Sequence, residues 1–383
     1  MKVFVCLPSL NEARTIAGVT RIVDKGLQSV PGLTSALIVN VDSNSADSTR
    51  EVFGKECAFY PKTSFVPEGE PGKGRNLLAF FELALAEGAD YCVTVDADIT
   101  SASEDWMLRL LQPLLSGEAD YVTPLYERSR FEGSSTNHFA YPVVYGFTGQ
   151  QVRQPIAGDF AFNRAFLATI GNTTPIAAVY GYGIDIFLSL IAATSGLRIK
   201  QVELGKKIHG PSFNKLEAMF PQIAAAALTV IRQAPLVGAI SQPYTGTANI
   251  LEANMFPHRQ AAAEMIERAK KELSRLLSQA HSWLEEPTRS QILNLAQCQE
   301  NLTLEESQQR WVDVLAAWFK FGLAQPGIEA TQMGQELLPF FVLRAVQFWF
   351  LSEALTATET ERQVHEQAEK IRTRLQSQLL PAA

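Results

Sequence analysis

Two aspartates one residue apart, Asp96 and Asp98, directly follow a short apolar run at 91–95. A run of this composition predicts a buried strand, so both carboxylates would lie on the turn that leaves it. Carboxylates at this spacing can share a divalent cation, and hard oxygen ligands suit Mg²⁺ or Mn²⁺. Such a cation would offset the negative charge of a departing diphosphate. Asp-rich turns are common, and taken alone the motif favours a second interpretation, in which the acids merely cap the next helix.

Polar clusters follow two earlier apolar runs in the same manner. One is Pro-Ser-Leu-Asn-Glu at 8–12, and the other is Asp-Ser-Asn-Ser-Ala-Asp at 42–47. Asp42 can accept a hydrogen bond from the ring N–H of uracil or guanine. The alternative role, capping the helix that follows, suits Asp47 better.

The segment Gly72-Lys73-Gly74 lies between the second and third clusters and precedes a helical pattern. Its glycines would let the backbone approach a ligand closely, and Lys73 would then meet a phosphate or the nucleobase region. An ordinary turn is the alternative interpretation of this segment.

The elements that must position these side chains are strands and helices in alternation. The runs 2–7, 36–41 and 91–95 are continuous and apolar, as in parallel strands covered on both faces. Helical patterns lie between them, and the order β-α-β-α-β predicts a doubly wound α/β domain. Because ligands bind at the carboxyl ends of the strands in such sheets, we expect the three clusters to share one edge.

The strand pattern fades from about residue 212, and helical patterns take over. Apolar residues at three- and four-residue steps predict a helix at 259–285, and Thr303 with Glu306 predicts a capping box. Pro339 fits the first turn of a further helix. We therefore predict a catalytic domain at 1–220 and a helical C-terminal domain at 221–383.

The composition excludes several classes of function. The 383 residues carry a formal net charge of -7, which argues against a nucleic-acid partner. The apolar stretch 337–355 contains Arg344, Gln347 and Glu353, so it predicts a buried helix and not a membrane span. The first strand is predicted to start at Lys2, so we expect no signal peptide, and the four cysteines have no metal-site spacing. We expect a cytoplasmic protein, with a homodimer as an option for the helical part.

The order of these motifs resembles the nucleotide-sugar half of the family 2-like GT-A glycosyltransferases. Three later motifs extend the resemblance: Gln-Pro-Ile-Ala-Gly-Asp at 154–159, Gly-Tyr-Gly-Ile-Asp at 181–185 and Gly-Lys-Lys-Ile-His at 205–209. Together they are similar to mannosylglycerate synthase and glucosyl-3-phosphoglycerate synthase, which make compatible solutes or their precursors. The resemblance covers about residues 1–220. It implies a Rossmann-like GT-A fold with a mostly parallel sheet, a C-terminal helical extension and a metal-dependent, retaining hexosyltransferase.

The resemblance also implies roles for individual residues. The nucleoside pocket and the donor would be contacted by Pro8, Asn11, Glu12, Asp42, Lys73, Asp96 and Ala97. Asp98 would ligate the metal, with the imidazole of His209 completing the site. Asp96, Asp98, Asp159 and Asp185 would carry the catalytic chemistry, with Asp185 contacting a sugar or acceptor hydroxyl. The family commonly has glutamate where Asp159 stands, so the sugar contacts of this chain would differ there.

The segment 126–149 is the predicted acceptor region. Arginines precede the hydroxyl-rich start of an apolar helix, where free N–H groups can bind an anion such as a carboxylate or a phosphate. The resemblance assigns the acceptor to Arg128, Ser135, Thr136 and Asn137. A capped helix with solvated arginines is the alternative.

The sequence thus predicts transfer of glucose or mannose from a UDP- or GDP-sugar to a small anionic acceptor such as D-glycerate or 3-phosphoglycerate. We expect front-face attack, with the leaving phosphate taking the proton, because no residue stands out as a nucleophile. Three alternatives remain. They are a transferase acting on a lipid or polysaccharide, a nucleotidyltransferase, and an inactive sugar-nucleotide-binding protein.

Overall fold

The computed structural model describes residues 1–208, 215–234, 250–251, 256–278, 283–284, 289–290 and 302–379. The chain forms two compact units. The first comprises Met1–Glu127 and Val152–Asn214, and the second comprises Arg128–Gln151 and Lys215–Ala383. A boundary at residue 220 would lie inside the helix Leu216–Gln233, and the segment 128–151 belongs with the helical unit.

The described residues include eight strands. In chain order they are β1 (Lys2–Ser9), β2 (Ser35–Asp42), β3 (Lys62–Phe65), β4 (Tyr91–Thr94), β5 (Tyr121–Ser129), β6 (Ala161–Asn163), β7 (Ile199–Lys206) and β8 (Ile250–Leu251). The main sheet has the order β3-β2-β1-β4-β6-β5-β7, and β8 pairs with the last residues of β5. Among the described strands, the pairings of β6 with β4 and with β5 are antiparallel and the others are parallel. This mostly parallel α/β sheet confirms the predicted fold class.

Helices cover the sheet and build the second unit. In chain order they are α1 (Ile16–Gln28), α2 (Thr49–Lys55), α3 (Lys73–Ala86), α4 (Asp105–Leu115), α5 (Tyr141–Thr148), α6 (Arg164–Gly171), α7 (Ile184–Thr194), α8 (Leu216–Gln233), α9 (Arg259–Leu277), α10 (Leu304–Ala324), α11 (Ala330–Leu351) and α12 (Ala357–Leu379). A π-helical turn, Thr136–Ala140, directly precedes α5, and a 3₁₀ turn, Ala177–Tyr180, precedes α7.

The strand register brings the predicted clusters to one edge of the sheet. Ser9 at the end of β1 is paired with Asp42 at the end of β2, and Cys6 is paired with Thr94 at the end of β4. The continuous apolar runs are buried on both faces, as parallel strands require; Val5 and Ile38 have no exposed surface. The polar residues after β1, β2 and β4 therefore share the carboxyl edge of the sheet.

The helical unit agrees with part of the sequence-based expectation. Thr303 and Glu306 form the predicted capping box at the start of α10. The helix predicted for 259–285 ends at Leu277, and Ser278 caps it. The expectation for Pro339 was wrong, because this residue lies inside α11 instead of in a first turn. In the parts of the chain that the structure describes, no helix is long and apolar enough to cross a membrane.

Gly74 offers a direct test of the packing around α3. An added Cβ would lie 1.7 Å from the carbonyl oxygen of Val179, so Gly74→Ala is expected to cost about 2 kcal/mol or more through overpacking. Gly18 in α1 is the matched control, since nothing lies within 4 Å of its added Cβ. Alanine there is expected to stabilise the helix by about 0.5–1 kcal/mol. Thermal melting followed by circular dichroism measures both, and a Gly74→Ala protein as stable as the wild type would contradict this packing.

Candidate active site

The carboxyl edge of the sheet carries a buried cluster of three acids and two lysines. Asp96 follows β4, Asp159 precedes β6 and Asp185 lies in the first turn of α7. Lys73 is the first residue of α3, and Lys207 directly follows β7. Five separate segments of the first unit therefore contribute one charged side chain each.

Asp96 lies at the centre of this cluster. Its Oδ1 is 2.9 Å from Nζ of Lys73, and its Oδ2 is 3.0 Å from Nζ of Lys207. Burial by itself raises the pKa of a carboxyl group, but the two ammonium groups outweigh it and hold the pKa of Asp96 well below its usual range. Asp96 is consequently ionised, and both of its oxygens are occupied.

Asp159 has no exposed surface, and its hydrogen bonds use both oxygens. Oδ1 accepts from the backbone N–H of Asp96 at 2.8 Å. Oδ2 accepts from the Tyr126 hydroxyl at 2.6 Å and from Nζ of Lys207 at 2.7 Å. Burial raises the pKa of Asp159, although Lys207 opposes this effect. Asp159 thus fixes the turn at Asp96 and holds Lys207.

Asp185 differs from the other two acids because one of its oxygens is unused. Oδ2 accepts a hydrogen bond from Nζ of Lys73 at 3.2 Å, whereas Oδ1 is buried and has no hydrogen-bond partner. Burial raises the pKa of Asp185, with Lys73 opposing. A buried acceptor without a donor is costly, so the geometry suits a ligand that donates a hydroxyl hydrogen.

Lys73 is held between two acids. Burial favours its neutral form, but the carboxylates of Asp185 and Asp96 outweigh burial and raise the pKa of Lys73. Its side chain keeps about a fifth of its surface exposed, whereas that of Lys207 keeps only 4%. Lys73 is therefore the lysine of the pair that an incoming anion can reach.

The close approach of these groups depends on Gly158. Its φ of +90° is a backbone conformation that side-chain-bearing residues rarely adopt. An added Cβ would also lie 2.2 Å from Oδ2 of Asp96 and 3.1 Å from Nζ of Lys73. The glycine of the 154–159 motif is thus required by the cluster itself.

Asp98 stands apart from the network two residues after Asp96. It is partly exposed, and its carboxylate forms no hydrogen bond or ion pair with any described residue. Ala97 between the two acids is buried. Asp98 is accordingly the acid of the Asp-X-Asp motif that is available to a cation, which fits hard oxygen ligation of Mg²⁺ or Mn²⁺.

The second predicted metal ligand, His209, lies outside the described residues. Within the described ranges, no group of three or more His, Cys, Asp or Glu side chains is arranged to hold a metal ion. The described part of the chain therefore offers the Asp98 carboxylate, and the pairing of Asp98 with His209 remains a prediction.

The ends of β1 and β2 form an interlocked pair of loops. The buried Asp42 accepts hydrogen bonds from the Ser9 hydroxyl at 2.7 Å, the Ser45 N–H at 2.7 Å and the Ser45 hydroxyl at 2.6 Å. Asn11 has a φ of +59°, and its Oδ1 accepts from the N–H of Ala46 at 2.8 Å. Asp42 therefore holds together the two loops that are predicted to bind the nucleoside.

The remaining predicted nucleoside residues lie in the same loop. Pro8 is buried as the penultimate residue of β1, and Glu12 donates its N–H to the Thr49 hydroxyl at 2.8 Å. Asp47 accepts from the N–H of Thr49, the first residue of α2, at 3.0 Å. The N-cap residue of α2 is nevertheless Ser48 and not Asp47, and no side chain makes a capping hydrogen bond there.

The predicted acceptor residues belong to the second unit. Arg128 is paired with Ile250 in the strand ladder. Ser135 immediately precedes the π-helical turn that contains Thr136 and Asn137. All three residues from 135 to 137 are buried, and their assignment to an acceptor remains a prediction.

Sequence-based reasoning missed Lys207 and Tyr126 as site residues. Lys207 lies inside the 205–209 motif, but the prediction from that motif concerned only the metal ligand, His209. Its pairing with Asp96 and Asp159 joins residues 111 and 48 positions apart, a separation that periodicity does not reveal. Tyr126 was included only as the first residue of the predicted acceptor region, whereas it lies in β5 and its hydroxyl donates to Asp159.

A family model agrees with this fold and site. Residues 4–168 match the model described as glycosyl transferase family 2. The match, the mostly parallel sheet and the polar carboxyl edge define the class: the chain is a glycosyltransferase with a GT-A fold.

Solved structures of glucosyl-3-phosphoglycerate synthase from Mycobacterium tuberculosis are similar to this chain. The complex with Mg²⁺ and uridine-diphosphate is 28% identical, with a TM-score of 0.50, and the match covers 61% of this chain and 80% of that chain. The complex with Mn²⁺, UDP-glucose and phosphoglyceric acid has the same identity and coverage, with a TM-score of 0.49. No curated protein sequence matches the chain.

Replacing Lys207 by methionine tests the charge network. The variant leaves buried Asp159 without its cation, and breaking a buried ion pair costs about 3 kcal/mol or more. The pKa of Asp159 is already raised by burial, and loss of Lys207 raises it further. Its protonated form is therefore favoured by folding, and the loss of stability should shrink as the pH falls through that pKa.

Thermal melting of Lys207→Met at several pH values measures this effect. Lys200→Met on the same strand is the matched control, because Lys200 is half-exposed and its Nζ lies 3.9 Å from Glu118. It should melt like the wild type. A Lys207→Met protein that is equally stable at all pH values would refute the proposed role of Lys207.

Proposed function

We propose that the protein transfers glucose from UDP-glucose to 3-phosphoglycerate, with retention of the anomeric configuration and with Mg²⁺ or Mn²⁺ as cofactor. The observation that carries the proposal is the buried cluster at the carboxyl edge, where Asp98 and one oxygen of Asp185 are unused. The similarity to a glucosyl-3-phosphoglycerate synthase that binds Mg²⁺ and uridine-diphosphate favours this donor and acceptor.

The charge balance of the cluster supports a divalent cation. With all of its groups ionised, the cluster of three acids and two lysines would carry one net negative charge, and Asp98 would add a second. An anionic diphosphate would be repelled unless a cation accompanied it. Asp98 and His209 would hold that cation, which supplies charge stabilisation for the leaving diphosphate. Lys73, the more exposed lysine, would bind a phosphate oxygen.

The donor would occupy the loops after β1 and β2. Asp42 holds Ser9 and Ser45 in place, and Pro8, Asn11 and Glu12 would line the nucleoside pocket. Asp96 and Ala97 would lie beside the ribose and the metal. Asp185 would accept a hydrogen bond from a sugar or acceptor hydroxyl through its unused Oδ1.

The network argues for front-face substitution. Both oxygens of Asp159 are engaged and the side chain is fully buried, so it acts as a positioning residue and not as a nucleophile. The acceptor oxygen would form its bond to the anomeric carbon on the face that the diphosphate leaves. The hydroxyl proton would pass to the departing phosphate oxygen. Arg128, Ser135, Thr136 and Asn137 would hold the acceptor through its anionic groups.

A competition assay tests the function. The protein is incubated with UDP-glucose, GDP-glucose, UDP-mannose and GDP-mannose together with D-glycerate, 3-phosphoglycerate and Mg²⁺. Mass spectrometry should find glucosyl-3-phosphoglycerate, and NMR should find the α-anomer that retention requires. A β-anomer would refute the mechanism. A different sugar or acceptor would refute the specificity, and the absence of any glycoside would refute the function.

Asp98→Asn tests the metal assignment. Because the Asp98 carboxylate forms no hydrogen bond or ion pair with a described residue, the variant should fold and melt like the wild type. Loss of the cation ligand is expected to lower kcat/KM by about a hundredfold or more. Asp105→Asn is the matched control, since Asp105 lies on the surface and pairs with Arg109. An Asp98→Asn enzyme with wild-type activity and metal dependence would remove Asp98 from the metal site.

A further inference from the structure

The helix that contains the predicted acceptor residues is irregular at its start. In the π-helical turn Thr136–Ala140, the N–H of Tyr141 bonds to the carbonyl of Thr136. The Asn137 carbonyl therefore loses its α-helical donor. Pro142 has no N–H, so it cannot supply the α-helical bond to His138. Two successive carbonyl groups thus need donors from elsewhere.

Side chains of the helical unit supply those donors. Nε2 of Gln367 in α12 donates to the Asn137 carbonyl at 3.0 Å. Nε1 of Trp311 in α10 donates to the His138 carbonyl at 2.7 Å. Gln367 has no exposed surface, and Trp311 is almost fully buried. These two bonds hold the irregular turn in its observed shape.

Arg344 in α11 determines which way the Gln367 amide points. Its Nε donates to Oε1 of Gln367 at 2.8 Å, and its Nη1 donates to the Ser307 hydroxyl at 2.9 Å. Because a guanidinium group only donates, Gln367 must present its oxygen to Arg344 and its NH₂ group to Asn137. Arg344 thereby selects the amide orientation that the π-helical turn needs.

This arrangement leaves the buried guanidinium group of Arg344 only partly satisfied. Arg344 is 2% exposed, its Nη2 has no hydrogen-bond partner, and burial alone lowers its pKa to about 9. A glutamate at position 367 would neutralise this buried cation. An ionised glutamate has no hydrogen to donate, however, and would leave the Asn137 carbonyl without its donor. Glutamine at position 367 therefore supplies the hydrogen bond to the Asn137 carbonyl but leaves the charge of Arg344 uncompensated.

We propose that Gln367, oriented by Arg344, is a positioning residue for the acceptor, because it fixes the turn that carries Thr136 and Asn137. The inference rests on the proposed function, which assigns the acceptor to these side chains. Gln367 acts through the backbone of Asn137, so its loss should weaken acceptor binding and leave donor binding unchanged.

Gln367→Glu separates this role from a purely structural one. Arg344 keeps the new carboxylate ionised, so the melting temperature should equal or exceed that of the wild type. Losing the donor to Asn137 should raise KM for 3-phosphoglycerate about tenfold, the usual effect of one lost buried hydrogen bond. KM for UDP-glucose should stay constant. Gln378→Glu, an exposed site on the same helix, is the matched control and should change neither constant.

Trp311→Phe provides a second variant, because it removes the donor to His138 and keeps an aromatic ring. It should also raise KM for 3-phosphoglycerate selectively. If the wild type makes glucosyl-3-phosphoglycerate and both variants keep its KM values, the positioning role is refuted while the proposed function stands. If the wild type transfers no glucose to 3-phosphoglycerate, the proposed function fails and the inference falls with it.

Discussion

The site of the first unit depends on one carboxylate, that of Asp96, held between two lysines. Lys73 from the start of α3 and Lys207 from the end of β7 bind its two oxygens, and Asp159 accepts its backbone N–H. These contacts join the segment after β4 to three other parts of the fold. Gly158 is needed for the same reason, since any Cβ there would collide with Asp96. With Asp96 neutralised in this way, Asp98 and one oxygen of Asp185 are left for ligands.

Much of this arrangement could be predicted from the sequence, because it follows from residue patterns within single strands and helices. Continuous apolar runs specify parallel strands, and parallel strands bring their carboxyl ends to one edge. The pairing of Ser9 with Asp42 follows from this rule, and so does the position of Asp96 beside β1. The capping box at Thr303 was equally predictable, because both of its hydrogen bonds lie within four residues.

The rest depends on contacts between distant residues, which no periodicity encodes. The Asp159 partners Tyr126 and Lys207 come from β5 and from the residue after β7, so neither could be paired with it from the sequence. The segment 128–151 follows a strand of the α/β sheet yet belongs with the helical unit. The position of Pro339 was predicted wrongly. Proline usually occurs in the first turn of a helix, but burial of the surrounding apolar residues stabilises α11 on both sides of Pro339.

We expect this edge of the sheet to bind a nucleotide diphosphate together with a divalent cation. Isothermal titration of the wild-type protein with UDP, in the presence of Mg²⁺ and in the presence of EDTA, tests it without any acceptor or turnover. Because the acids leave the cluster negatively charged, UDP should bind about tenfold or more tightly with Mg²⁺. Equal affinity under both conditions, or no binding of UDP under either, would contradict the account.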